Sequence, residues 1–163
     1  MSTQFRFAKK EDVSLILSFI KELAEYENMS SEVIADEKTL TKWIFNERKA
    51  DVIFAIENEK EVGFALYFYN FSTFLGRAGL YLEDLFVKPE YRKRGHGKAL
   101  IKHLAKIAVE RGLGRLELSC LNWNKPSIDF YLSLGATKMS DWTVYRFTGE
   151  SLNNSKINIK SKI

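Results

Sequence analysis

A mixed α/β fold is predicted by three features of this sequence. β-rich segments follow one another through the first half, amphipathic helices flank them, and a strand–helix–strand passage begins at Leu80. Phe5-Arg6-Phe7-Ala8 alternates in polarity and reads as a first strand. Val13, Ile16, Leu17, Ile20, Leu23 and Ala24 then recur at helical spacing, which predicts an amphipathic helix over about residues 10–26. Leu40, Trp43 and Ile44 predict a shorter helix, with Asp36 or Thr39 able to cap its start. Residues 52–57 and 62–71 are β-rich, and the polar Asn58-Glu59-Lys60 between them reads as a hairpin turn. Residues 80–87 add a third strand, so a meander is expected. After Pro89 the period becomes helical, with Ala99, Leu100, Leu104, Ile107 and Ala108 as the buried stripe and Arg111-Gly112 as its end. Residues 116–121 form another strand, and a strand, helix and strand in this order make a right-handed crossover between parallel strands. A helix over residues 126–134 is closed by Gly135, and Val144-Tyr145-Arg146-Phe147 reads as a final strand.

At 163 residues and 45% hydrophobic content the chain has the size and apolar material of one domain, placed at residues 1–152, with a polar tail at 153–163. That tail is expected to fray or to pack on a partner. Charges interrupt every apolar stretch well short of the ~20 residues that cross a bilayer, so no membrane partner is expected. The start, Met1-Ser2-Thr3-Gln4-Phe5-Arg6, lacks the pattern of a secretory signal, and a cytoplasmic address is expected. Cys120 is the sole cysteine, which excludes an internal disulfide and a cysteine-based zinc site and is expected to be a buried structural thiol. His96 and His103 are not joined by an acidic cluster, so no metal is expected. The formal net charge of +4 is dispersed except in residues 92–98 and in Lys156, Lys160 and Lys162, a distribution that fits a local anion site and a solvated tail rather than nucleic acid.

Two segments carry chemistry. Arg92-Lys93-Arg94-Gly95-His96-Gly97-Lys98 lies directly after a predicted strand and before a predicted helix. Glycines let backbone N–H groups converge there, the helix start adds positive potential, and Arg92, Lys93, Arg94 and Lys98 can donate to a diphosphate. A basic helix start without a ligand is the other reading. The spacing matches neither a P-loop nor a dinucleotide fingerprint. In the second segment, residues 123–131, Asn124 is a good cap and Pro126 is tolerated in a first turn. At 3.6 residues per turn, Asn124, Ser127 and Tyr131 share one narrow face that suits a long polar thread, though Tyr131 taken alone also reads as a half-buried core aromatic. Trp123 and Phe130 read as packing residues.

Together these segments resemble the acetyl-CoA signature of the GNAT N-acetyltransferases. Within that superfamily the chain is most similar to the spermidine/spermine (diamine) acetyltransferases and their thialysine-acetylating relatives. The resemblance is carried by Glu22-Leu23-Ala24-Glu25-Tyr26-Glu27, Leu82-Glu83-Asp84-Leu85-Phe86-Val87, residues 91–97 and residues 123–131, and it covers about residues 5–152. It implies a GNAT fold: a mixed sheet of six to seven strands, splayed in a V near the fourth, flanked by about four helices. It further implies that Leu85, Phe86 and Val87 present backbone groups to the acyl and pantetheine portions. The loop residues Arg92, Lys93, Arg94, Gly95, His96, Gly97 and Lys98 would hold the diphosphate, and Asn124, Ser127 and Tyr131 would line the pantetheine side. Tyr26, Glu27, Glu83, Glu117, Leu118 and Ser119 match positions near the amine. Lys125 departs from the acidic residue that some polyamine-acetylating relatives carry, which keeps thialysine and other amino-acid-like amines in play.

The implied activity is direct transfer of an acetyl group from acetyl-CoA to a primary amine of a small molecule, without a metal. An alkylammonium keeps its proton up to pH ~10.4, so a base is needed, and Glu83 is the candidate. Asp84 falls on the opposite face of the strand unless a bulge intervenes. Tyr131 is the expected proton donor to the leaving thiolate, and a backbone N–H in residues 85–87 is expected to meet the developing oxyanion. A homodimer is implied by the relatives. A protein or peptide N-acetyltransferase and a non-catalytic acyl-CoA-binding regulator are the alternatives, since fold does not choose between them.

Overall fold

Antiparallel ladders joined by tight turns build the first half of the chain. The structure, a computed structural model, describes residues 2–153. Strand β1 (Gln4–Phe7) leads through a short 3-10 turn into helix α1 (Val13–Tyr26). Helix α2 (Glu37–Leu40) is capped by Asp36, whose carboxylate accepts the Thr39 N–H at 2.7 Å, and continues as a π-helical turn over Thr41–Asn46. Strands β2 (Asp51–Glu57), β3 (Lys60–Ser72) and β4 (Arg77–Val87) form the expected meander. The β2–β3 turn is shorter than the polar run suggests: Asn58 and Glu59 both take positive φ, 50° and 63°, and Lys60 already pairs with Glu57. Two left-handed turn residues match the twist of a hairpin. Helix α3 (His96–Glu110) then crosses to β5 (Leu116–Leu118), which pairs parallel to β4. The order across the sheet is β1-β2-β3-β4-β5.

Alternation along β2 explains how both faces of the sheet are covered. Val52 and Phe54 face a cluster with Ile16, Phe19 and Leu23 of α1, whereas Ile53 and Ala55 face Leu100, Leu104 and Ile107 of α3. A strand buried on both sides has to read as a nearly continuous apolar run, as this one does.

The register breaks twice, and the second break shapes the sheet. Tyr67 pairs with Leu82 and Leu66 with Asp84, so Glu83 is an extra, bulged residue in β4. The β4–β5 ladder ends at Leu82 and Leu118, one residue before that bulge. A bulge bends and twists its strand, and the second half of β4 leaves β5 there. This splay replaces the longer strand expected over residues 116–121.

The chain divides into two compact units, with the boundary after Leu121. In the second, helix α4 (Lys125–Ser133) is followed by irregular backbone and a short helix α5 (Glu150–Asn153). The strand expected at residues 144–147 is not formed: the segment is irregular, and Val144, Tyr145 and Phe147 are exposed. Its composition favours a strand, but a strand needs a neighbour for its backbone groups, and none pairs with it among the described residues. The count is therefore five strands, against the six to seven expected. Residues 154–163, most of the expected tail, lie outside the described residues. No helix among the described residues is long and apolar enough to cross a membrane.

Candidate active site

The splayed half of β4 presents its edge to the space that β5 vacates. The Lys88 N–H donates to the Val62 carbonyl at 2.9 Å, and Val87 stands opposite Gly63. Backbone groups alternate along a strand, so Asp84 and Phe86 direct theirs toward β3 while Leu85 and Val87 direct theirs to the open edge. The Val87 carbonyl is taken by the Arg92 Nε–H at 2.8 Å. The Leu85 and Val87 N–H groups therefore line the opening, whereas Phe86 turns its backbone away and buries its ring against α1.

The basic loop follows at the end of this edge. Lys93 and Gly95 both have positive φ, 62° and 88°. Gly95 caps α3 with no side chain, and the first bond of the helix runs from the Ala99 N–H to the Gly95 carbonyl at 2.9 Å. The amides of His96, Gly97 and Lys98 precede that bond and point off the helix start. The loop side chains divide into two sets. Arg92 stacks on Tyr26 and Phe86, Arg94 donates to Glu57 at 2.7 Å and to the Glu90 carbonyl at 2.9 Å, and the buried His96 ring meets Glu57 at 2.6 Å and Thr3 at 3.1 Å. Lys93 and Lys98 are exposed and have no ion-pair partner among the described residues. Lys93 and Lys98 are thus the loop cations without an ion pair among the described residues, while Arg92 donates to the Val87 carbonyl and Arg94 and His96 bond to Glu57.

Carboxylates gather at the bulge. Glu83 is exposed, and its extra position lets Asp84 fall on the α1 side of the sheet, half-buried. Burial, then the charges of Glu83 and Glu27, push the Asp84 carboxyl up to about 7. Glu27, which ends α1, is raised by burial as well. The more buried and raised carboxyl of the Glu83–Asp84 pair is Asp84, whereas the sequence named Glu83 as the candidate base. Its signal was the Glu-Asp pair inside an apolar strand, but choosing between the two required the register.

The remaining candidates are placed as follows. On β5, Glu117 pairs with Arg115 at 2.8 Å and accepts from Asn70 at 3.0 Å, while Leu118 packs into the core beneath α3. The Ser119 hydroxyl meets the Tyr81 hydroxyl at 2.6 Å. Cys120 is half-buried rather than fully buried, and desolvation followed by the charge of Glu27 raises its thiol, which keeps it protonated. In the second unit, Asn124 caps α4 by accepting the Ser127 N–H at 3.3 Å, and Lys125 pairs with Asp129. Tyr131 lies on α4 with its ring 5.2 Å from that of Phe130. Trp123 is exposed, against the packing role expected for it.

These elements, from α1 through α4, are the ones that the acetyltransferase (GNAT) family model matches, over residues 17–136. The chain belongs to the GNAT acetyltransferase family. It is 40% identical to the thialysine N-epsilon-acetyltransferase of Bos taurus, over 90% of this chain and 93% of that protein. It is 30% identical to an L-ornithine N5-acetyltransferase of Arabidopsis thaliana, over 98% of this chain and 90% of that protein. An integron cassette protein from the mobile metagenome of V. cholerae has the same fold, with a TM-score of 0.79, 32% identity and coverage of 98% and 99% of the two chains. The acetyltransferase therefore has relatives of its own length that are named for acetylating side-chain amines of amino acids.

Proposed function

We propose that this acetyltransferase moves an acetyl group from acetyl-CoA to the terminal amine of a small, amino-acid-like diamine such as thialysine or ornithine. The observation that carries the reading is Asp84, a carboxyl poised near neutrality at the edge where β4 opens, with Glu27 and Glu83 beside it. Clustered carboxylates attract a cationic amine, and a base with this pKa is half ionised at neutral pH and able to accept the ammonium proton. The same desolvation that raises Asp84 strengthens it as a proton acceptor once ionised.

The residues present fit acetyl-CoA. A helix start with converging amides, a bare glycine cap and Lys93 and Lys98 alongside suits a diphosphate. Bound there, the cofactor supplies the activated acetyl thioester. The Leu85 and Val87 N–H groups serve the edge along which the pantetheine arm and acyl oxygen would lie, and a donor already aimed at a developing oxyanion is the larger part of such catalysis. Asp84 takes the proton of the amine, with Glu83 and Glu27 holding its charge. Tyr131, carried over from its place in the family motif, returns a proton to the departing sulfur.

The named relatives support an amino-acid-like acceptor over a polyamine, and Lys125 is consistent with it. We place the enzyme in the cytoplasm and as a homodimer. The exposed Val144, Tyr145 and Phe147 support the dimer, and light scattering in solution tests it. The substrate test is thiol release from acetyl-CoA with thialysine, ornithine, lysine, spermidine, spermine, putrescine and aminoglycosides. Faster turnover of thialysine or ornithine is expected. Preference for spermidine would overturn the acceptor assignment, and release with none would overturn the enzymatic reading.

A further inference from the structure

The loop that opens α3 is held from behind by a residue with no place in the family signature quoted above. On β2 the row facing α3 runs Ile53, Ala55 and then Glu57, so an apolar stripe ends in a carboxylate. That side chain is only 13% exposed, and a carboxylate so placed has to be paired. Each of its oxygens has its own partner: Oε1 accepts from Arg94 at 2.7 Å and Oε2 meets His96 Nε2 at 2.6 Å. Those two residues flank Gly95, whose φ of 88° turns the chain into the helix. Further contacts complete the hold, since Arg94 also donates to the Glu90 carbonyl and the second nitrogen of His96 meets Thr3. The bond to His96 and then Arg94 keep the Glu57 carboxyl below the usual glutamate range, so it stays charged.

We infer that Glu57 is a positioning residue for cofactor binding. By gripping Arg94 and His96 on either side of Gly95, it sets the direction in which the first-turn amides of α3 point. The inference rests on the reading of that loop as the diphosphate site. Glu57 touches no reacting atom and acts only through the loop. It joins the end of β2 to the start of α3 across 39 residues of sequence, and its charge is what makes both contacts strong.

The loop binds the diphosphate alone, so the test compares two acetyl donors. Acetyl-CoA carries the diphosphate and S-acetylpantetheine does not. In the full chain, Glu57→Gln and Glu57→Ala are expected to lower kcat/KM for acetyl-CoA by about tenfold or more, chiefly through KM, and to change it for S-acetylpantetheine by less than about twofold. A role confined to stability would lower both donors alike, and that outcome, or no change with either, overturns the inference. Arg94→Gln breaks only the exposed half of the grip, and is expected to move acetyl-CoA in the same direction by a smaller factor. It supplies the readout if the Glu57 variants do not fold, and a loss equal for both donors again refutes the proposal. Failure of the underlying loop reading looks different: the unaltered enzyme would then use the two donors with similar KM.

Discussion

Replacing Asp84 with asparagine should stabilise the protein while removing its chemistry, and the gain should grow with pH. The Asp84 carboxyl is pushed from 3.8 up to about 7, first by burial and then by Glu83 and Glu27. The unfolded chain releases this proton near the lower value and the folded chain near the upper one. Between them the folded state binds more protons, so stability falls as pH rises through that window and the full cost is present above it. Below the lower value both states are protonated and no cost remains. At 1.36 kcal/mol per pKa unit the full cost is about 4 kcal/mol. Asparagine keeps the shape and removes the charge. The Asp84→Asn variant should gain about 2 kcal/mol at about pH 5 and about 4 kcal/mol at about pH 8. Urea unfolding followed by tryptophan fluorescence at the two pH values measures this directly. A gain that is the same at both, or a loss at both, refutes the raised carboxyl and with it the base assignment. In the unaltered enzyme the rate should rise with pH through about 7, and the variant should lose that limb together with about a hundredfold of turnover.

Tyr131→Phe should lower turnover by about tenfold or more while leaving CoA binding, measured by calorimetry, nearly intact. Unchanged steady-state turnover removes Tyr131 from the acid role. Gly79→Ala tests the packing beside β5. A Cβ there would stand 2.5 Å from the Asn70 amide oxygen and 3.3 Å from the Arg115 carbonyl, so Asn70 must swing away and give up its bond to Glu117. A loss of about 1–3 kcal/mol is expected in thermal unfolding. Adding Asn70→Ala should recover part of it, and a double variant as unstable as the sum of the two single ones contradicts the clash.

The sequence by itself determined the order of elements as far as α4, the apolar run that both faces of β2 bury, and the glycine-bearing helix start at residues 95–97. These depend on information local in the chain: Val52 and Phe54 alternate with Ile53 and Ala55, and Gly95 must supply a left-handed cap wherever α3 packs. Tertiary structure alone decided which carboxylate is the more buried one. Alternation along β4 carries no notice of a bulge, because a bulge is a property of the register between β3 and β4 and not of either strand. The desolvation that raises Asp84 is a sum over whatever surrounds it in the fold. For the same reason the grip of Glu57 on Arg94 and His96 was hidden, and residues 144–147 had the composition of a strand without the neighbour a strand requires. A residue's period can be read along one chain segment, but its dielectric surroundings and its partners exist only once distant segments have met.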